Sequence, residues 1–285
     1  MKKINFVING KKIETNVEPK RRLLDYLRED LELMGSKNGC NTGHCGTCTV
    51  IIDGVAKRAC IVTMESCDNS VIETIESLDS SVKLHPLQYT FIDEGAVQCG
   101  FCTPGMIMAC KALLDSNPSP TEDEIRYALR NNLCRCTGYE AIFRAVKRAG
   151  AIIRGEESYE GGDFDKGLYV GQSVPKKDGI AKVTGAPIFA DDLKEPNMLY
   201  GVPVFSDYAH AEILSIDTSD AEKITGIIKV ATYKDVPGIN KFGLFVPQQP
   251  VLCGDKVKYF GDAVACAYGE TLEIAKLAAS KVVVK

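Results

Sequence analysis

The chain has 285 residues, of which 45% are hydrophobic and 25% charged, as is ordinary for a soluble globular protein of about two domains. The formal net charge is -4, with 20 basic against 19 acidic residues up to Gly155 and 14 against 19 after it, so neither half has the positive excess that nucleic acid or an anionic membrane attracts. No run approaches the roughly 18 apolar residues of a membrane span, and the N-terminus turns polar before a signal-peptide core forms. We therefore expect a cytoplasmic protein with no nucleic-acid or membrane partner.

Residues 1–78 predict a small mixed sheet around one helix. Alternating apolar residues on either side of Asn9-Gly10 indicate a hairpin, and Asp53-Gly54 lies at the centre of a second one. Between them, leucines repeat at helical spacing over residues 23–31. Hairpin, helix and hairpin in this order are typical of the β-grasp arrangement.

From about residue 84 the apolar period becomes helical, which predicts a compact four-helix domain over residues 79–154. Thr103 followed by Pro104 is typical of a helix N-cap and first turn, and Thr121 with Glu124 is typical of a capping box. The predicted helices cover residues 86–94, 104–115, 121–131 and 138–154.

Residues 155–175 contain five glycines and five acidic residues with little apolar periodicity, which predicts an exposed linker. Beyond it, strand-like and helical stretches alternate, so we expect a separate α+β domain over residues 176–285 that ends within a strand. The predicted strands cover residues 199–204, 226–231, 257–260 and 263–267, and the predicted helix covers residues 272–282.

Twelve cysteines need an explanation, and ten of them precede residue 137. This regional clustering does not suit a disulfide scaffold spread through a secreted chain, and it indicates metal or redox chemistry. One group has the C-x4-C-x2-C spacing of plant-type ferredoxins, with a fourth cysteine after eleven further residues, which predicts a 2Fe-2S site. We call these residues the first cysteine set: Cys40, Cys45, Cys48 and Cys60.

In the first cysteine set a glycine-rich loop would supply three thiolates, and the returning strand of the second hairpin would supply Cys60. Gly39, Gly43 and Gly46 allow the backbone to approach a cluster closely, with N–H groups directed at sulfur. A zinc site with four thiolates is an alternative, and four buried free thiols are another.

The second cysteine set combines a C-x2-C pair with a C-x-C pair, each at the end of a different predicted helix. One end of the helical domain could therefore gather all four sulfurs. The C-x-C spacing is tight for a zinc knuckle, which favours a cluster over zinc. The members of this set are Cys99, Cys102, Cys134 and Cys136.

The remaining candidate ligands are assigned structural roles. Since each set already has four thiolates, His44 and His85 are interpreted as solvated loop residues. Four further cysteines have no partner pattern and are expected to behave as small hydrophobic residues. They are Cys67, Cys110, Cys253 and Cys266.

The chain contains three motifs in this order: GCNTGHCGTC at residues 39–48, QCGFCTPG at 98–105 and NLCRCTGY at 132–139. Together they resemble the xanthine oxidase family of molybdenum hydroxylases. The resemblance implies that the first cysteine set holds the cluster nearer the surface and the second set the cluster nearer molybdenum. It also implies that Gln98 and Cys136 contact the pterin of the molybdenum cofactor, and residues 85–88 fit the family's helical domain.

The resemblance continues beyond the linker into the α/β hammerhead that opens the family's molybdenum-binding part. No room is left for a flavin domain, and this order is similar to the flavin-independent aldehyde oxidoreductases of anaerobic bacteria, as is the sequence around Cys253. His210 lies within the family pattern and is interpreted as structural. The matching segments are residues 190–192, 209–211, 216–218, 235–238, 250–252, 256–257 and 261–262.

The resemblance implies an α+β multidomain oxidoreductase portion with two 2Fe-2S clusters and no FAD. The family's molybdenum site lies beyond residue 285, so we expect no catalytic residue in this chain, and either another chain or a missing remainder to bind molybdopterin. The expected reaction oxidises an aldehyde with water to a carboxylic acid and passes electrons to a ferredoxin, a flavodoxin or a flavoprotein subunit.

Three alternatives remain open from the sequence. The same relay could serve a xanthine, purine or other N-heterocycle dehydrogenase, because the substrate pocket lies outside the chain. The chain could be a ferredoxin-like carrier without a catalytic partner of its own. It could also be a zinc-stabilised interaction protein.

Overall fold

The computed structural model describes residues 1–78, 83–159, 170–171 and 174–285. These residues form two compact units, Met1–Asp192 and Leu193–Lys285. The predicted linker, residues 155–175, lies largely outside the described residues. Residues 176–192 were predicted to open the third domain, and in the structure they belong to the first unit.

The first unit begins with a five-stranded sheet in the order β2-β1-β5-β3-β4. Strand β1 pairs antiparallel with β2 and parallel with β5, while β3 pairs antiparallel with β4 and β5. Helix α1 buries its leucines against the inward side chains of this sheet. The elements are β1 (Lys2–Ile8), β2 (Lys11–Val17), α1 (Leu23–Glu29), β3 (Thr49–Ile52), β4 (Val55–Arg58) and β5 (Val71–Glu73).

Both predicted hairpins are confirmed, and their turns explain why. Asn9 and Gly10 have φ of 49° and 77°, and Asp53 and Gly54 have φ of 51° and 79°. Two consecutive residues with positive φ form the turn that matches the twist of paired strands, and Asn-Gly and Asp-Gly adopt it most readily. The turn chemistry thus fixes the register of both hairpins.

The four predicted helices of the next domain are also confirmed. The capping box at Thr121 and Glu124 is present, with the Thr121 N–H donating to the Glu124 carboxylate at 2.7 Å. The predicted cap at Thr103 is wrong, because Cys102 already has helical backbone angles and Thr103 is a buried first residue of its helix. The helices are α2 (Pro86–Asp93), α3 (Thr103–Ser116), α4 (Glu122–Leu129) and α5 (Glu140–Ile153).

A further short helix, α6 (Gly179–Thr184), and a 3-10 turn, Ala190–Asp192, complete the first unit. Val183 of α6 is fully buried in the core that α2, α3, α4 and α5 build. The packing of α6 therefore extends the helical domain past the predicted linker.

The second unit contains a three-stranded antiparallel sheet in the order β6-β11-β9, together with two short strand pairs, β7 with β10 and β8 with β12. The predicted strand over residues 257–260 is shorter than expected, because the Asp262 carboxylate accepts the Lys258 N–H at 2.7 Å and turns the chain after Val257. Among the described residues, no helix is long and apolar enough to cross a membrane. The elements are β6 (Tyr200–Phe205), β7 (Ala211–Glu212), β8 (Ile216–Asp217), α7 (Ser219–Glu222), β9 (Ile227–Thr232), β10 (Lys256–Val257), β11 (Ala263–Gly269), α8 (Leu272–Ala279) and β12 (Val283–Val284).

Candidate metal centres

The first cysteine set lies at one end of the five-stranded sheet. Cys40 and Cys45 are half-buried in the loop between α1 and β3, and Cys48, which immediately precedes β3, is buried. The prediction that the returning strand carries Cys60 is wrong, because β4 ends at Arg58 and Cys60 lies in the 3-10 turn that follows. That turn buries Cys60 beside Cys48, and the two thiols interact.

Backbone N–H groups converge on the sulfur of Cys40. Its Sγ accepts from the N–H groups of Thr42, His44 and Cys45 at 3.4, 3.3 and 3.4 Å. Partial burial opposes ionisation, but the hydrogen bonds from Thr42, Cys45 and His44 outweigh it and lower the pKa of Cys40 to about 5. The loop is thus built to hold a thiolate, which is the form of cysteine that binds metal.

At the buried end of the first set, ionisation of the thiols is disfavoured. Burial raises the pKa of Cys48 to about 12, and the neighbouring Cys60 contributes to this rise. Two thiolates there would be unfavourable unless a cation neutralised them. A bound metal ion supplies that positive charge and deprotonates coordinating thiols outright.

The second cysteine set is gathered from two loops of the helical domain. Cys99 and Cys102 precede α3, and Cys134 and Cys136 lie between α4 and α5. The thiol of Cys102 interacts with that of Cys134, and the thiol of Cys136 interacts with that of Cys99. The structure therefore brings together the four residues that the sequence proposed for this set.

Within the second set, Cys134 is prepared to ionise. Burial opposes this, but the Thr137 hydroxyl and N–H, which donate to its Sγ at 3.2 and 3.4 Å, lower the pKa of Cys134. Burial raises the pKa of its neighbour Cys102. The second set thus contains one sulfur that is prepared to ionise and one desolvated thiol, as the first set does in Cys40 and Cys48.

The thiols of the second set meet in two pairs, and in the first set Cys48 pairs with Cys60 and Cys40 lies beside Cys45. A tetrahedral zinc site needs its donors around a single point, whereas a 2Fe-2S cluster takes its four thiolates on two irons. The pairwise arrangement fits 2Fe-2S clusters.

One backbone and one side-chain hydrogen bond join the two cysteine loops. The Leu133 N–H donates to the Cys45 carbonyl at 2.9 Å, and the buried Asn132 side chain donates to the Gly46 carbonyl at 3.0 Å. A side chain at Gly105 of α3 would overlap the Gly46 carbonyl, so the two segments touch through backbone. The backbones of the two cysteine loops are thus in direct contact through one hydrogen bond.

Tyr139 is a further site residue, and in the sequence it stands out only as part of the NLCRCTGY motif. Its hydroxyl accepts the Cys134 N–H at 2.8 Å and donates to the Asn132 carbonyl at 3.2 Å. Its backbone is left-handed, with φ of 72°. Tyr139 lies three residues after Cys136 in the sequence, and its hydroxyl bridges the backbone of the loop that carries Cys134 and Cys136.

The other predicted site residues are placed as follows. Gln98, Cys99 and Cys136 are all exposed. His44 is exposed and its Nδ1 lies 3.0 Å from the Thr42 hydroxyl. His210 is also exposed.

The interpretation of His85 as a solvated loop residue is wrong. Its Nδ1 accepts the Leu87 N–H at 3.2 Å and caps α2, and burial lowers its pKa to about 4. It is thus a structural, neutral histidine. The remaining cysteines fit their expected apolar role, being buried or half-buried: Cys67, Cys110, Cys253 and Cys266.

Comparison with known proteins finds three family models along the chain. They describe a 2Fe-2S iron-sulfur cluster binding domain over residues 6–69, a [2Fe-2S] binding domain over 74–147, and an aldehyde oxidase and xanthine dehydrogenase a/b hammerhead domain over 184–285. The nicotinate dehydrogenase small FeS subunit of Eubacterium barkeri is 49% identical over 146 residues, which are 51% of this chain and 93% of that subunit. The chain belongs to the xanthine oxidase family of molybdenum hydroxylases. Its matched ranges include two 2Fe-2S binding domains.

Longer molybdenum hydroxylases match the whole chain. The aldehyde oxidoreductase of Megalodesulfovibrio gigas is 37% identical over 293 residues, covering 96% of this chain and 32% of that protein. The structure of the aldehyde oxidoreductase from Desulfovibrio desulfuricans ATCC 27774 matches with a TM-score of 0.93 at 38% identity, over 100% of this chain and 33% of that one. The chain thus spans about a third of these relatives, and its predicted α+β multidomain fold is confirmed.

Proposed function

We propose that the two cysteine sets bind the two clusters and that the chain relays electrons from a molybdenum cofactor to an external acceptor. The observation that carries this proposal is the hydrogen bond from the Leu133 N–H to the Cys45 carbonyl, which joins the two loops. Each bound cluster accepts one electron, so the pair divides a two-electron oxidation into single steps. The proposed ligands are Cys40, Cys45, Cys48 and Cys60 for one cluster, and Cys99, Cys102, Cys134 and Cys136 for the other.

The exposure of the two sets supports a direction for the relay. Gln98, Cys99 and Cys136 lie on an open face of the second set, where a pterin could contact Gln98 and Cys136. The N–H groups around Cys40 would favour the more negative, reduced state of the first cluster. Electrons would therefore enter at the second set and leave at the first.

A cationic groove beside the first set supports an acidic electron acceptor. This groove has a volume of about 640 Å³ and includes Thr49 and Ile61, the chain neighbours of Cys48 and Cys60. Positive charge on this rim would steer an acidic ferredoxin or flavodoxin toward the first cluster. Among the described residues, the groove is lined by no carboxylate and by three cations: Lys57, Arg58 and Arg130.

An aldehyde is the proposed substrate. The support is domain order, since the aldehyde oxidoreductase of Megalodesulfovibrio gigas matches the cluster domains and the hammerhead in one alignment over 96% of the chain. The N-heterocycle alternative is favoured by the higher identity of the nicotinate dehydrogenase small FeS subunit, but that match covers 51% of the chain. The catalytic partner would be a molybdenum-binding chain or the remainder of a longer polypeptide.

Metal analysis and reduction assays test these proposals. The protein purified from its host should carry about four irons per chain, molybdenum in the complex, and an iron-sulfur absorbance that bleaches with benzaldehyde faster than with xanthine or nicotinate. Stoichiometric zinc in a colourless protein would refute the clusters. A stable iron-sulfur monomer with no molybdopterin protein would instead support the stand-alone carrier.

A further inference from the structure

Residues 178–192, here called the strap, follow the two cluster domains, and the second cluster-domain model ends at residue 147. The strap contains α6 and the 3-10 turn Ala190–Asp192. It is anchored in the helical domain by Val183, which is fully buried and whose carbonyl accepts from the buried Gln88 amide at 3.2 Å. Such anchoring is more than a flexible connection between domains requires.

At the second cysteine set, the strap contacts the loop that carries Cys99 and Cys102. The Lys182 ammonium donates to the Gln98 carbonyl at 2.9 Å and pairs with the Asp178 carboxylate at 2.6 Å. The Lys182 stem lies over Gly100, where any side chain would overlap it. Gly100 has φ of 88°, so both the backbone and the contact require glycine.

The far end of the strap touches the same loop again. The Phe189 ring meets the ring of Phe101, which lies between Cys99 and Cys102 in the chain, edge-on at 5.0 Å. Gln98 and Phe101 are therefore held at two points of the strap. The loop that presents half of the second set is clamped along its length.

An ion-pair network fixes this far end to the first cluster domain. The Asp192 carboxylate pairs with Lys37 at 3.1 Å and with Arg28, and the Lys37 ammonium also donates to the Pro187 carbonyl at 2.8 Å. The side chain of Lys37 is 1% exposed. A buried ammonium of this kind persists only when it is paired and hydrogen-bonded.

We infer that the strap holds the loop of Cys99 and Cys102 in place, and that its Lys182 is a positioning residue for the second cluster. This inference rests on the proposed binding of a cluster by the second cysteine set. The Lys182 ammonium fixes the Gln98 carbonyl and places a positive charge beside the loop. That charge stabilises the reduced cluster relative to the oxidised one, so it raises the reduction potential.

The test is a redox titration of both clusters by EPR in the full native complex. Lys182→Met should lower the midpoint potential of the second cluster by about 59 mV, a tenfold change in its one-electron equilibrium, and leave the first cluster unchanged. Lys182→Arg, which keeps the charge and the donor, should retain most of the native potential. Asp178→Asn, which removes a negative charge and keeps Lys182, should shift the second potential upward.

A matched control distinguishes a specific role of Lys182 from a general effect of removing a surface lysine. Lys147→Met removes a lysine that pairs with Glu122 at 2.7 Å on the surface of the same domain, and it should move neither potential. Loss of the second signal alone in Lys182→Met, with rescue by Lys182→Arg, would support the positioning role.

Two results would overturn the inference about the strap. One is an unchanged second potential in Lys182→Met together with an unchanged potential in Asp178→Asn, and the other is an equal shift of both clusters. The absence of a second iron-sulfur signal in the unmodified protein would instead refute the cluster assignment itself. The two failures are therefore distinguishable.

Discussion

Replacing Asp192 with asparagine keeps the shape of the side chain and removes the charge that neutralises a buried lysine. Lys37 and Asp192 have side chains that are 1% and 3% exposed, so water cannot replace the lost partner. Breaking a buried ion pair from one side costs about 3–5 kcal/mol. We expect a loss of about 3 kcal/mol, since Lys37 keeps the Pro187 carbonyl and Arg28 keeps the carbonyls of Met34 and Ser36.

The assay is thermal unfolding followed by circular dichroism. For a folding unit of this size each kcal/mol shifts Tm by roughly 2–4 °C, so Asp192→Asn should lower Tm by roughly 6–12 °C. Asp191→Asn is the matched control, because Asp191 is the exposed neighbour and its replacement should leave Tm nearly unchanged. Equal Tm values for the two variants would refute the argument that the buried pair holds the strap.

The contribution of the Asp192 carboxylate to stability should depend on pH. Burial opposes ionisation, but hydrogen bonds from the Phe189 N–H, Arg28 and Lys37 hold the pKa of Asp192 below its ordinary value. A carboxylate with a lowered pKa stabilises the fold above its unfolded pKa, about 4, and loses that contribution as pH falls through the folded value. The Tm difference between the native protein and Asp192→Asn should therefore shrink below about pH 4.

Three further predictions concern the cysteine loops and the helical domain. Cys136→Ser should slow reduction of the second cluster by substrate while the EPR signal of the first cluster remains, and loss of both signals would contradict the two-site assignment. Asn132→Leu removes one of the donors to the buried Gly46 carbonyl, which keeps the Thr49 N–H and hydroxyl, and should cost about 0.5–1.5 kcal/mol in chemical unfolding, whereas an unchanged midpoint would mean that the loops hold without it. Thr121→Ala should cost about 1 kcal/mol by removing the capping box, and Thr121→Ser should recover most of that loss.

The features that the sequence predicted correctly depend on neighbours in the chain. Asn9-Gly10 and Asp53-Gly54 specify their own turns, and Thr121 with Glu124 specifies a helix start within four residues. The cysteine sets are recognisable for the same reason, since their spacing reflects loops that must wrap a small object.

The features that were missed depend on distant partners. The sequence around Lys37 indicates a surface lysine, because the Asp192 carboxylate that pairs with it in the protein interior lies far along the chain. Val183 is likewise held by a distant residue, since its carbonyl accepts a hydrogen bond from the Gln88 amide. The N-cap prediction at Thr103 failed because the preceding cysteine loop already turns helical at Cys102. No local pattern carries information about such contacts.

The hydrogen bond between the two cysteine loops has a consequence for how this surface can vary. Leu133 contributes its backbone N–H to that bond, while its side chain is 57% exposed. Every amino acid except proline offers the same N–H. The outward face at this position can therefore be reshaped to suit a neighbouring protein without altering the connection between the two centres.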